Sequence, residues 1–219
     1  MKIALCMIAR NEEKIIQDAI LSMTGLYDKA YVLDDGSTDD TRKAAENAGA
    51  AVVTADSPLR GFAEKRNFIA RMAWSYPDFD AVVWNDCDQR LVVRGDRFEF
   101  RKQLEEQLLQ WEALCIRLDH PVIPNFQATY SFAYLLGKGI EWTRPVHEAL
   151  NTPVRPIDQS VAYMDCRDNR GHRSMNRKES IELDIEVMRD WLMKHPYDTH
   201  IQQKLMETIV FRNNLNKAR

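Results

Sequence analysis

The chain has 219 residues, 45% hydrophobic and 29% charged, with 30 Lys and Arg against 33 Asp and Glu for a formal charge of −3. That is enough apolar material for one large domain, or for one domain with an appendage. The charge offers no basic surplus for neutralising a phosphate backbone, so no nucleic-acid partner is expected, and no apolar run approaches the roughly 20 residues a membrane span needs. Four cysteines, Cys6, Cys87, Cys115 and Cys166, form no C-x-x-C pair and read as reduced thiols. A strand begins almost at once, at Lys2, which leaves no room for a signal peptide and makes a cytoplasmic protein the expectation.

Ile3 to Ile8 is a continuous apolar run and reads as a buried strand. Asn11 is placed to cap a following helix, with Glu12 and Glu13 in its first turn, where the helix dipole favours anions. Ile15, Ile16, Ala19, Ile20 and Met23 supply its stripe, and Gly25 ends it. Ala30 to Leu33 is a second strand that runs into Asp34-Asp35-Gly36-Ser37-Thr38-Asp39-Asp40-Thr41, a polar turn. A helix follows with Ala44, Ala45 and Ala48 inward, then a third strand from Ala51 to Thr54. Gly61 to Trp74 is helical, with Phe62, Ile69, Met72 and Ala73 apolar, and Ala81 to Trp84 is a fourth strand, buried on both faces.

The second half changes character. Phe98 to Trp111 reads as a helix that buries Phe98, Leu104, Leu108 and Trp111, while Trp74, Trp111, Trp191 and Met188 read as core. Ala113 to Leu118 and Phe126 to Leu136 read as strands, the latter alternating loosely with aromatics as in an antiparallel hairpin. A loop-rich region punctuated by Pro145, Pro153 and Pro156 follows. From Ser174 the chain is helical again, with Ile181, Ile185, Met188 and Leu192 in one stripe. After a break at His195-Pro196, a second helix from about Thr199 to Phe211 carries Ile201, Leu205, Ile209 and Val210. Such a hairpin is also how the first unit of a helical repeat array reads, although one pair does not establish a repeat. His120, His195 and His200 read as structural or exposed.

Strands alternating with helices predict an α/β fold, a doubly wound and mainly parallel sheet flanked by helices. Right-handed crossovers would set Arg10-Asn11, Asp34-Asp35 and Asp86-Asp88 along one edge, the edge where open α/β sheets bind ligands. Two carboxylates spaced one residue apart suit a hard divalent cation shared with a diphosphate. Alone, Asp86-Cys87-Asp88 would read first as a solvated turn; the convergence of three polar clusters favours a site.

These residues resemble a known family. Met7-Ile8-Ala9-Arg10-Asn11-Glu12-Glu13, Val32-Leu33-Asp34-Asp35-Gly36-Ser37-Thr38-Asp39-Asp40-Thr41, Lys65-Arg66-Asn67 and Asn85-Asp86-Cys87-Asp88 are similar in order and spacing to the GT-A, family 2 glycosyltransferases. Trp142-Thr143-Arg144-Pro145-Val146-His147-Glu148 matches a later W-x-x-P-V-H-E element of one branch. The resemblance implies a GT-A (Rossmann-like) mixed, mainly parallel sheet and an inverting hexosyl transfer from a UDP-sugar to a carbohydrate or glycoconjugate acceptor. It implies Mn²⁺ or Mg²⁺ as cofactor, with Asp88 as direct ligand and Asp86 contacting ribose and metal. Asp35 would accept from the uracil N3–H, Asp34 would shape the pocket, and Ala9, Arg10, Asn11 and Glu12 would line it. Arg66 would aim a positive fork at the base or the phosphates.

For each there is a plainer reading: Asp34 and Asp35 as caps (although Asp39 or Asp40 is better placed), Arg66 as a solvated helix residue, Asn11 as cap alone. Glu148 stands where relatives place the acidic base of an E-D pair, with His147 as neighbour or substrate contact; a surface pair after a proline turn is the alternative. A downstream histidine on the metal or diphosphate would be His172, with Asp165 as a substitute, and His172 is equally a loop residue. The expected organisation is a catalytic domain over residues 1–173, divided at about residue 95 into nucleotide-sugar and acceptor halves, followed by a helical hairpin over residues 174–219. Two rivals remain: a nucleotidyltransferase, which would usually show a basic, Gly-rich loop where this chain has Ala9-Arg10-Asn11-Glu12-Glu13, and a non-catalytic nucleotide-sugar-binding module.

Overall fold

The computed structural model describes residues 1–55, 59, 61–75, 79–119, 128–144, 148–165 and 177–217. His147, His172, His120 and Cys166 therefore lie outside the described residues, as do residues 126–127 of the expected second-half strand and Ser174.

The elements in chain order are β1 (Ile3–Ala9), α1 (Ile16–Ser22), β2 (Lys29–Asp34), α2 (Thr41–Asn47), β3 (Ala51–Val53), α3 (Phe62–Ser75), β4 (Ala81–Trp84) and β5 (Arg90–Val93). Then come α4 (Arg97–Trp111), β6 (Ala113–Asp119), β7 (Ala128–Leu135), β8 (Trp142–Thr143), β9 (Ala149–Leu150), β10 (Arg155–Pro156), β11 (Ala162–Asp165), α5 (Arg177–Lys194) and α6 (Thr199–Lys217). One sheet runs in the order β3-β2-β1-β4-β7-β6-β11-β5, with β10 beside β6. β1 pairs in parallel with β2 and β4, and β2 with β3. β7 enters antiparallel between β4 and β6; β11 is parallel to β6, and β5 runs antiparallel to β11. The sheet is thus mixed and mainly parallel. Because β1, β2 and β4 share a direction, their polar carboxyl ends share an edge.

The strand alternation sorts the core into two layers. Ile3, Leu5 and Met7 of β1 face Ile16, Ala19 and Ile20 of α1 and Phe100, Leu104 and Leu108 of α4. Ala4 and Cys6 face the other way, onto Ala63, Ile69, Ala70 and Ala73 of α3. β4 is buried on both faces, as its apolar run predicts. Cys6, Cys87 and Cys115 are free and buried.

Several packing assignments need correction. Phe98 is 77% exposed and Trp111 41% exposed; the buried positions of α4 are Phe100, Leu104 and Leu108, each one helical repeat apart. Trp111 is instead overlaid by Arg155, whose guanidinium lies 4.3 Å from the ring centroid. Trp74 is 59% exposed, and Phe62 and Val210 also face outward. α3 turns Ala63, Arg66, Ile69, Ala70 and Ala73 inward where Phe62 was expected, and the small Ala63, Ala70 and Ala73 let the helix lie close to the sheet. In α5, Ile181, Ile185 and Met188 are buried as expected, and Ile201 of α6 is buried as well. Asp198 caps α6 by accepting from the Ile201 amide (3.1 Å) and the Trp191 indole (3.0 Å).

Candidate active site

The first two strand ends are stitched together through their loops. The Asp35 amide donates to the Ala9 carbonyl (2.9 Å), and the Asn11 amide to Ser37 Oγ (3.0 Å). Asn11 Oδ1 in turn accepts from the Thr38 amide (2.7 Å), and the Glu12 amide donates to Thr41 Oγ1 (2.7 Å). Asn11 has φ +56°, a left-handed conformation that asparagine tolerates better than most residues. This overturns its expected capping role. The chain turns away at Asn11, α1 begins only at Ile16 without a side-chain cap, and Glu12 and Glu13 precede it. Ala9 is buried behind this junction and Arg10 is exposed at its rim.

Asp34 is buried, with Oδ1 accepting from the Ser37 amide (3.0 Å) and Oδ2 facing Arg42 (3.4 Å). Neither Asp34 nor Asp35 caps α2; Asp40 stands at the N-cap without a side-chain bond, and Asp39, one residue earlier, accepts from the Thr41 amide (3.0 Å). Asp35 forms an ion pair with Lys65, Oδ2 to Nζ 2.6 Å, and so keeps one oxygen for another donor.

The turn after β4 is held from below. Asn85 is buried and donates to the Ala19 carbonyl (3.0 Å), while the Cys87 thiol lies 3.5 Å from the Ile8 carbonyl. Arg90 clasps the turn, donating to the Cys87 and Gln89 carbonyls (2.7 Å each) and to the Ile15 carbonyl (3.0 Å). Asp88 points outward and exposed, whereas Asp86 is half-buried. Asp86 Oδ1 accepts from Arg66 (3.2 Å) and from the Tyr130 hydroxyl (3.1 Å), and its Oδ2 faces the Gln89 amide at 3.4 Å.

Arg66 is 5% exposed and does not reach outward as a free fork. Its guanidinium lies within a cage of Trp84, Tyr130 and Trp142, 5.0, 5.5 and 4.6 Å from their ring centroids. Burial disfavours its charge, but Tyr130, Asp86 and Glu148 outweigh that and hold it protonated. Trp142 belongs to the short β8–β9 hairpin, which Asn67 fastens to α3 through two 2.8 Å hydrogen bonds with the Trp142 backbone. Glu148 immediately precedes β9, so the hairpin sets it near the caged arginine. Burial raises the proton affinity of the Glu148 carboxyl, Arg66 lowers it, and the charges of Asp86 and Asp184 raise it further, for a net upward shift.

Among the described residues no group of three or more His, Cys, Asp or Glu side chains forms a cage for a metal ion. One or two carboxylates at an open edge do suit Mg²⁺ or Mn²⁺, which are commonly held by such a pair together with substrate phosphates and water. Asp88 and Oδ2 of Asp86 offer that donor set. Asp165 ends β11 opposite Arg90, at the same end of the sheet. Tyr130, Gln89, Arg90 and Asp184 were absent from the sequence reading, and Asn67 entered it only within the Lys65-Arg66-Asn67 motif, with no role of its own. Tyr130 carries no local signal beyond an aromatic in a loosely alternating strand, and Asp184 reads as one more polar residue on α5.

Residues 4–91 match the sequence model of a family described as "Glycosyl transferase family 2". The motifs from Met7 to Asp88 that carry the resemblance lie within this matched segment. Over 99% of its length the chain is 24% identical to a TPR repeat-containing protein of Synechococcus elongatus, covering 54% of that protein. Over 41% of its length it is 34% identical to an uncharacterized glycosyltransferase of Rickettsia typhi, covering 29% of it. The chain thus spans about half the length of the first curated relative and less than a third of the second. The crystal structure of S. aureus TarS 1-349 in complex with UDP-GlcNAc superposes with a TM-score of 0.54 at 14% identity, over 95% of this chain and 72% of that one. The fold is the GT-A fold.

Proposed function

We propose that this chain is a glycosyltransferase that moves a hexose, with inversion, from a UDP-sugar to a hydroxyl of a carbohydrate or glycoconjugate acceptor. The observation that carries this reading is the convergence of Asp35, Asp86, Asp88 and Glu148 at one sheet edge, around a buried arginine that touches Asp86. The family match over residues 4–91 and the relative named a glycosyltransferase support the reaction class. Asp35 receives the uracil N3–H through the oxygen that Lys65 leaves open, which favours uracil over cytosine. Asp88 and Oδ2 of Asp86 would hold Mn²⁺ or Mg²⁺, which would supply Lewis-acid charge for the departing nucleotide. Glu148 takes the acceptor hydroxyl proton as that oxygen attacks the anomeric carbon and the nucleotide leaves from the opposite face.

Residues 1–95 form the nucleotide-sugar half in this reading, and residues 96–173 the acceptor half. The hairpin α5–α6 then closes the acceptor side, with Asp184 sensed by Glu148. The name of the Synechococcus relative also favours this hairpin as the leading unit of a helical repeat.

The test is UDP release from a panel of UDP-hexoses in Mn²⁺ or Mg²⁺, with and without saccharide acceptors, for wild type and Glu148→Gln. Release that requires metal and falls in Glu148→Gln is the expected result. No release with any donor, while UDP still binds, would leave a nucleotide-sugar-binding module and sink the transferase reading.

A further inference from the structure

The two carboxylate oxygens of Asp86 have different surroundings. Oδ1 takes both short contacts, from Arg66 Nη2 at 3.2 Å and from the Tyr130 hydroxyl at 3.1 Å. Among the described residues, Oδ2 meets the Gln89 side-chain amide at 3.4 Å, a long hydrogen bond. The Tyr130 hydroxyl also accepts from Arg66 Nη1 at 2.9 Å. Arginine has no acceptor and an ionised carboxylate has no donor, so the single hydroxyl proton of Tyr130 must point at Asp86. The three groups close a ring with one possible hydrogen-bond direction. Its arginine corner is locked by Trp84 and Trp142, and its tyrosine stands on β7 beside an irregularity where the β6–β7 register shifts between Leu114 and Cys115. Strand irregularities of this kind re-aim side chains next to active sites.

We propose that Tyr130 is a positioning residue for the donor site: with Arg66 it fixes Oδ1 of Asp86, so that Oδ2 alone is presented to the nucleotide and its metal. This rests on the donor-site reading above. Removing the hydroxyl leaves the ring in the aromatic cage but lets the Asp86 carboxylate rotate. Groups that orient a ligating side chain typically change metal affinity by about 10- to 100-fold when lost.

The test is calorimetric titration of UDP in MnCl₂ on wild type, Tyr130→Phe, Arg66→Lys and Tyr134→Phe, with far-UV circular dichroism and Tm confirming the fold of each. Tyr134 packs against Trp142 in the same cage but touches neither Asp86 oxygen, so it reports on general loosening. The expected result is UDP affinity weakened about 10-fold or more in Tyr130→Phe and Arg66→Lys, with Tyr134→Phe close to wild type. Arg66→Lys keeps the charge and loses the fork, so it tests the same ring if Tyr130→Phe does not fold. UDP affinity within twofold of wild type in folded Tyr130→Phe, or an equal loss in Tyr134→Phe, overturns the inference while leaving the donor site standing. A wild-type chain that binds no UDP overturns both.

Discussion

Glu148 sits where burial and charge pull against each other. Burial favours the protonated carboxyl, Arg66 favours the ionised one, and Asp86 and Asp184 side with burial, so its pKa lies above the ordinary glutamate value. A base must be ionised to work. Transfer is therefore expected to fall, as pH decreases, from a higher pH than an ordinary carboxylate would give; a pH–rate profile with its acid limb at the usual glutamate value would contradict this. The same shift acts on stability with a definite sign. The folded state holds the Glu148 proton more tightly than the unfolded state, so stability falls as pH rises from the unfolded pKa through the folded one. Glu148→Gln should accordingly raise Tm at pH 7 while lowering transfer by about 10²- to 10⁴-fold, and a lowered Tm would refute the raised proton affinity of this carboxyl. At Asn11 the backbone and the side chain separate cleanly. Asn11→Gly keeps the φ of +56° without strain and loses only the bond to Thr38, whereas Asn11→Ala loses the bond and adds roughly 1–2 kcal/mol of left-handed strain. Urea denaturation should rank Ala below Gly, and the reverse order would contradict the left-handed requirement at this position.

At the scale of elements, α4 shows how a residue type misleads where a period does not. Phe98 and Trp111 attract attention as large aromatics, yet Phe100, Leu104 and Leu108 are the positions four apart that fall on one face, and the sheet takes that face. Leu104→Ala is expected to cost about 2–5 kcal/mol and Phe98→Ala less than about 0.5 kcal/mol. Similar losses at both positions, measured by chemical denaturation, would contradict the packing. The β8–β9 hairpin makes the complementary point. Its strands are two residues each and carry no period to read, so its place is set by Asn67 binding the backbone of Trp142, 75 positions away in sequence. Asn67→Ala should cost about 1–3 kcal/mol and loosen Glu148, lowering transfer more than UDP affinity.

Across the whole molecule, what was legible in the sequence is what neighbouring residues encode together. β1 to β4 with their helices, and the polar clusters at Asn11, Asp34-Asp35 and Asp86-Asp88, follow from apolar runs that stop at charge, and the parallel pairings of β1 with β2 and β4 bring those clusters to one edge. The surroundings of Arg66 were not legible, because Tyr130 and Trp142 reach it from strands far along the chain and only tertiary packing joins them. The short strands β5 and β8 to β11 were missed for the same reason: each is defined by its partner more than by its own residues. No helix among the described residues is long and apolar enough to cross a membrane. The central claim is that this edge holds a metal-bound uridine diphosphate. Calorimetric titration of UDP with Mn²⁺ and then with EDTA, on wild type and Asp88→Ala, tests it most directly. The account expects binding that needs the metal and is lost in Asp88→Ala; binding indifferent to EDTA and to that substitution would contradict it.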